Sequence, residues 1–170
     1  GRVAVVLPQG ALFRQGAEAR IRTHILKAKK VEAVIGLAPN LFYGTGLAAC
    51  VLILRHQRPV GHQDKVLFIN GEDLMKKGRN QNTLEPEHAK ALLDAYRGFA
   101  DIEGRAHVAE LAEIEGNDFN LNIPLYIAPA ETGEAITLAD ALANLEGAHE
   151  RAKETRAALE AELAKWGLSA

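Results

Sequence analysis

Val31-Glu32-Ala33-Val34-Ile35-Gly36-Leu37 and Leu47-Ala48-Ala49-Cys50-Val51-Leu52-Ile53-Leu54-Arg55 are two strand-like apolar runs with about nine residues between them. That gap decides the fold. It is too short for the helical crossover that a parallel pair requires, so the two runs should pair antiparallel. Upstream, Val3 to Leu7 is an unbroken aliphatic run ended by Pro8. That is the pattern of a strand buried on both faces of a largely parallel sheet. After a loop from Pro8 to Gly16, Ala17 to Lys29 reads as a helix, with Ala17, Ile21, Ile25 and Ala28 on one stripe and Arg20, Arg22 and Lys27 outward. Strand, helix, strand with the usual right-handed crossover is an α/β unit.

Further along, Gln57 to Asp64 is a polar turn and Lys65 to Asn70 a fourth strand. Lys76 to Asn82 is polar, contains a glycine and reads as a loop. Pro86 opens a helix to about Phe99, because proline is tolerated at the first helical position. Val108 to Ile114 reads as a short helix or turn, and Asn117 to Ile127 as an extended, Asn-rich segment. Thr137 with Asp140 signals a helix N-terminus. From there to Trp166 the chain is rich in Ala, Glu, Lys and Leu, and about 30 helical residues would span roughly 45 Å. The apolar stripe (Leu138, Leu142, Leu145, Ala152, Leu159, Leu163, Trp166) is thin and interrupted by Gly147. It suits a projecting helix that packs on another subunit or an imperfect coiled-coil arm.

With 170 residues, 48% of them hydrophobic, a net charge of -2 and a pI near 6.3, the chain can hold a real core but is no strongly basic nucleic-acid module. Any contact with nucleic acid has to come from a local patch. One cysteine, Cys50, excludes disulfides and a cysteine-based zinc site and fits a reducing cytoplasm. The six histidines show no metal-binding spacing, so no metal is expected. The apolar runs are too short to span a membrane. The chain opens Gly1-Arg2 straight into a strand, and its only methionine is Met75, so it reads as a piece of a longer polypeptide.

Two loops carry candidate chemistry. Phe42 and Tyr43, in Pro39-Asn40-Leu41-Phe42-Tyr43-Gly44-Thr45-Gly46, form either a platform on which a planar base stacks or a hydrophobic plug at the edge of the sheet. Gly44-Thr45-Gly46 precedes a strand instead of opening a helix, so its glycines serve a tight turn and not a phosphate loop. Lys76, Lys77 and Arg79, with Asn80, Gln81 and Asn82, form either a patch for the backbone of a duplex or a solvated loop. Asn117, Asn120 and Asn122 read as structural. There is no activated serine motif, and the cysteine lies in a strand, so nucleophilic catalysis has no support.

The ordered set Gly1 to Pro8, Gly10-Ala11-Leu12-Phe13-Arg14, Ala17-Glu18, Ile21-Arg22, Val34 to Leu37, Leu41 to Gly46, Gly78-Arg79-Asn80-Gln81-Asn82 and Asn117 to Ile123 resembles the modification subunit of type I restriction–modification systems. The resemblance runs from Gly1 to about Tyr126. It implies an adenine-N6 DNA methyltransferase that uses S-adenosylmethionine. It also implies an α/β fold, the C-terminal portion of a Rossmann-like methyltransferase sheet. The three first strands would be the last three of that sheet, with the antiparallel final strand inserted between the other two, followed by a helical tail. The implied layout is residues 1–75 from the catalytic domain, 76–130 an irregular and helical extension and 131–170 a C-terminal helix for subunit contact. DNA, a specificity subunit, a restriction subunit and a second modification subunit are the implied partners.

By the same resemblance Phe42 matches the aromatic that packs on the flipped-out target base, with Tyr43 beside it. The family's Gly-rich cofactor loop and its Asn-Pro-Pro-Phe/Tyr catalytic loop are not in this sequence. The expectation is therefore a base-stacking fragment, inactive on its own, with no catalytic residue and no S-adenosylmethionine loop. The other expectation, from a different class, is a non-catalytic assembly module that docks a DNA-specificity subunit.

Overall fold

The computed structural model describes residues 1–128 and 137–166. The two runs that set the expectation do pair antiparallel, as β2 (Val31–Gly36) and β3 (Ala49–Arg55). With β1 (Arg2–Pro8), β4 (Lys65–Ile69) and β5 (Ala106–Glu110) they build a five-stranded sheet of order β1-β3-β2-β4-β5. β3 lies between β1 and β2 and opposes both, which is the insertion that the resemblance implies. The sheet is mixed, not largely parallel: only β2 and β4 pair parallel, and β5 opposes β4.

β1 also departs from expectation. It is an edge strand, and most of its side chains, Val3 and Val6 among them, are exposed. An unbroken aliphatic run signals burial on both faces, but among the described residues the packed layers cover mainly β2 to β4, and Leu7 is the one β1 side chain that packs on a core cluster.

β2 to β4 alternate their side chains between two cores, as a pleated strand must. Val34, Cys50, Leu52, Val66 and Phe68 face one core, which is closed by Leu26 of α1 (Ala17–Lys27), Ile114 of α3 (Leu111–Gly116) and the chain to Ile127. Ala33, Ile35, Leu67 and Ile69 face the other, closed by Leu92 and Ala95 of α2 (Pro86–Gly98). Residues 108–114 were expected as a short helix or turn, but β5 occupies the first part and α3 starts only at Leu111. Pairing with β4 from Lys65–Glu110 to Ile69–Ala106 overrides the weak local preference of Ala106–Glu110.

Asn117 to Ile127 is not extended. Asp118 and Phe119 are left-handed, Ile123–Leu125 is one turn of 3₁₀ helix, and Tyr126 stacks on Phe68 with ring centroids 3.9 Å apart. The asparagines serve the backbone: Asn120 Oδ1 accepts from Asn122 N at 2.9 Å, and the Asn120 carbonyl accepts from the Tyr126 hydroxyl.

Residues 1–130 form one compact unit and residues 131–170 a second. In the second, α4 (Leu138–Lys165) begins where the sequence signals it, with the Thr137 hydroxyl accepting from Asp140 N at 3.1 Å. Its stripe residues Leu138, Leu142, Leu145 and Leu159 are exposed, as is Trp166 beyond its end.

Candidate functional site

β1 and β2 both oppose β3, and β4 runs with β2, so the C-terminal ends of β1, β2 and β4 share one side of the sheet. That side is where open α/β sheets bind ligands. Three connections leave from it, residues 9–16, 37–48 and 70–85. They are tied together: Gln9 N donates to Ala48 O at 3.1 Å, Leu37 N to Ala49 O at 2.9 Å and Gln9 Nε2 to Glu72 Oε1 at 3.2 Å.

Phe42 and Tyr43 sit on the middle connection. Phe42 and Thr45 form an isolated antiparallel bridge, and Thr45 Oγ1 accepts from Leu47 N at 3.1 Å. The turn between them needs Gly44 at φ +77°, a conformation that other residues adopt at a cost. The two rings fare differently. Tyr43 is 94% exposed, whereas Phe42 is 42% exposed and forms a wall of an open hollow of about 220 Å³ with Val6, Pro8, Leu47 and Ala49. The hollow is almost wholly apolar.

Lys76 to Thr83 is a hairpin-like loop with a paired stem: Lys76 N donates to Thr83 O at 2.9 Å and Thr83 N to Lys76 O at 3.0 Å. Lys77, Arg79 and Asn80 are exposed, and Lys76 lies 3.9 Å from the Glu85 carboxylate. Asn82 turns inward. Its amide nitrogen donates to Pro39 O at 2.9 Å and lies 3.0 Å from Met75 Sδ, while its backbone N–H donates to Asn40 O at 2.8 Å. Asn40 Nδ2 returns a bond to Asn80 O at 3.3 Å, and Gln81 Nε2 donates to Leu41 O at 2.6 Å. The two loops singled out separately in the sequence are thus one structure, with Lys77 and Arg79 on the loop that is fastened to the residues leading into Phe42.

At the opposite end of the sheet lies a buried charge that sequence reasoning missed. Glu32 is only 3% exposed and takes Arg55 Nη1 at 2.9 Å, the Tyr96 hydroxyl at 3.0 Å and Arg2 Nε at 3.4 Å. Burial alone would raise its carboxyl, but the hydrogen bonds from Arg55 and Tyr96 and the charges of Arg2 and Arg55 outweigh it and hold it below the ordinary glutamate value. The pairing of β2 with β3 skips a residue between Val31 and Ala33, so Glu32 sits at a bulge. A glutamate inside an aliphatic strand was the available signal.

Arg22 corrects the helix reading. It is not outward but 5% exposed, donating Nε to Phe119 O at 2.8 Å and Nη1 to Ala11 O at 3.0 Å and Arg14 O at 3.1 Å. Desolvation lowers its pKa against the opposing pull of Glu18.

Cys50 is buried, and burial pushes its thiol up to about 11, away from the thiolate that a nucleophile needs. Among the described residues, no group of three His, Cys, Asp or Glu side chains is placed to hold a metal ion, and no helix is long and apolar enough to cross a membrane.

Residues 1–135 match the family described as N-6 DNA Methylase. Over 156 residues the chain is 38% identical to the type I restriction enzyme MjaVII methylase subunit of Methanocaldococcus jannaschii, covering 90% of this chain and 27% of that protein. The MjaVIII methylase subunit of the same organism is 35% identical over 151 residues, covering 87% of this chain and 26% of that protein. Among solved structures, the type I restriction-modification system methyltransferase subunit from Streptococcus thermophilus superposes with a TM-score of 0.70 at 41% identity, over 75% of this chain and 26% of that one. The chain spans about a quarter of the length of these relatives.

Proposed function

The chain belongs to the N-6 DNA methylase family, and from that premise we propose that it supplies the target-base stacking loop and the subunit contacts of a type I restriction–modification methyltransferase that methylates adenine N6 in DNA. The observation that carries this reading is Phe42: half-exposed on a fastened loop at the C-terminal ends of β1, β2 and β4, walling an open apolar hollow. Chemistry on an exocyclic amino group requires the base to leave the duplex, and the extruded base needs an aromatic or apolar face to replace its lost stacking. Phe42 offers that face. Lys77 and Arg79, exposed on the neighbouring loop, take phosphates and position the duplex without reading its sequence. Asn80 stands beside them, while Lys76 is shared with Glu85.

S-adenosylmethionine would supply the methyl group. The hollow offers it no seat: its lining is Val6, Leu7, Pro8, Phe42, Thr45, Leu47, Ala48 and Ala49, with no carboxylate for ribose hydroxyls and no charged group for the amino-acid end. The donor and the group that activates the amine are assigned to the remainder of the subunit, and the 170-residue chain alone is inactive in this reading. Residues 1–75 then contribute to the catalytic domain, 76–130 extend it, and 131–170 reach a partner.

The test is Phe42→Ala in the complete modification subunit with its specificity subunit. The expected result is a methylation rate lowered about tenfold or more, with DNA binding and assembly unchanged. An unchanged rate would defeat the reading. The second reading, a docking module for a specificity subunit, is favoured by the exposed leucines along α4. It predicts that removing residues 137–170 abolishes association while Phe42→Ala does nothing.

A further inference from the structure

Pro39, Asn40 and Leu41 present three successive carbonyls immediately before Phe42, and each accepts one bond from Gln81 or Asn82. Only the middle bond is backbone to backbone. The outer two come from side-chain amides that continue the pairing where the backbones diverge. Asn40 is left-handed at φ +57°, which aims its carbonyl at Asn82, and its own amide closes the circuit on Asn80 O. The bracing loop is itself stiff: its stem is paired at Lys76 and Thr83, and a Cβ on Gly78 would stand 2.0 Å from the Gln81 carbonyl, so the turn closes tightly on the residue that does the bracing. Asn80, Gln81 and Asn82 all take part in this contact, while Gly78 closes the turn behind them.

We propose that Gln81 and Asn82 are positioning residues that hold the Phe42 loop in register, so that a phosphate contact at Lys77 and Arg79 and the face offered by Phe42 move as one rigid piece. The proposal rests on the reading of Phe42 as a base-stacking ring. It adds that the Gly-Arg-Asn-Gln-Asn segment acts through Phe42 and touches neither base nor methyl donor. Grip on the DNA backbone would thereby set the height at which the flipped base is received. Of Pro39 to Phe42 only Leu41 packs on a core cluster, and the Phe42–Thr45 bridge lies within the loop itself, so the bonds from Gln81 and Asn82 tie this segment to a separate part of the chain.

The experiment compares Gln81→Glu, which keeps the shape but turns a donor into a charged acceptor facing a carbonyl, with Gln81→Lys, which keeps a donor. In the 170-residue chain, chymotrypsin cleavage after Phe42 or Tyr43 reports loop opening. Gln81→Glu should speed it about tenfold at an unchanged Tm, and Gln81→Lys should stay near the parent rate. In the complete subunit assembled with its specificity subunit, Gln81→Glu should lower kcat about tenfold while leaving KM for DNA within about twofold. It should also lose the fluorescence rise of 2-aminopurine at the target position, and Gln81→Lys should restore both. Parent-like cleavage and kcat in Gln81→Glu would overturn the brace. If Phe42→Ala leaves the fluorescence rise intact while Gln81→Glu still frees the loop, the brace stands and the base-stacking reading falls.

Discussion

Glu32 and Arg55 meet at 2.9 Å across the β2–β3 bulge, a carboxylate and a guanidinium at the end of the sheet remote from Phe42. Glu32 is nearly inaccessible, and Arg55 is about a quarter exposed. A buried carboxylate survives only because its lone pairs are taken, here by Arg55, Tyr96 and Arg2.

Glu32→Gln should therefore destabilise the fold by about 3 kcal/mol, because it leaves Arg55 without its countercharge in a partly buried site. Urea denaturation at neutral pH measures this. The pH dependence follows in sign. The folded-state pKa of Glu32 is depressed, so its contribution is complete above the unfolded glutamate value of about 4.3 and is lost as pH falls through the folded value. The parent chain should lose stability on acidification below about pH 4.3, and Glu32→Gln should show a shallower loss over that range.

Gly78→Ala should displace the loop that braces Phe42. The added Cβ would meet the Gln81 carbonyl at 2.0 Å, and backbone cannot swing aside as a side chain does. A cost of about 2 kcal/mol is expected, with faster hydrogen exchange at Asn40 to Phe42 as the local signature. Exchange unchanged in that segment would contradict the contact.

Cys50 should resist thiol reagents in the folded chain. Its thiol is buried in the core closed by α1 and α3, and burial holds it protonated up to about 11. Labelling with a chromogenic disulfide at pH 8 should be absent without denaturant and complete within minutes in its presence. Rapid labelling of the native chain would mean that the core around Cys50 is open to solvent.

Gly147→Ala should strengthen α4. The position has ordinary space, with the nearest atom Arg151 Nη1 at 3.6 Å, and glycine costs a helix interior about 0.8–1 kcal/mol relative to alanine. Circular dichroism should show higher helicity and a raised melting point for residues 137–166.

Much of this architecture is legible locally. The short gap between Leu37 and Leu47 forbids a crossover, so the antiparallel β2–β3 pair follows from chain length alone. Thr137 and Asp140 announce α4, and Pro86 announces α2, because caps and first turns depend on residues within one turn of each other. Phe42 and the Gly78–Asn82 segment also stood out in the sequence, by residue type.

Their relationship did not. Gln81 and Leu41 are 40 positions apart, and no periodicity encodes a side-chain amide reaching a distant carbonyl. Arg22 and Glu32 were misread or missed for a related reason. Patterning assigns charge to the surface, and burial of a charge becomes affordable only once partners such as Phe119 O, Arg55 and Tyr96 converge from remote segments. β1 failed in the opposite direction: its unbroken aliphatic run reads as buried on both faces, yet most of its side chains are exposed, because what covers a strand's faces comes from remote segments. The sequence by itself thus determined most of the strands and helices and the antiparallel sense of the β2–β3 pair, which nearby residues and a short gap govern, and it singled out Phe42 by residue type. Only the tertiary structure decided which charges are buried and what holds Phe42 in place, because those depend on bonds between groups that approach each other only after the sheet has formed.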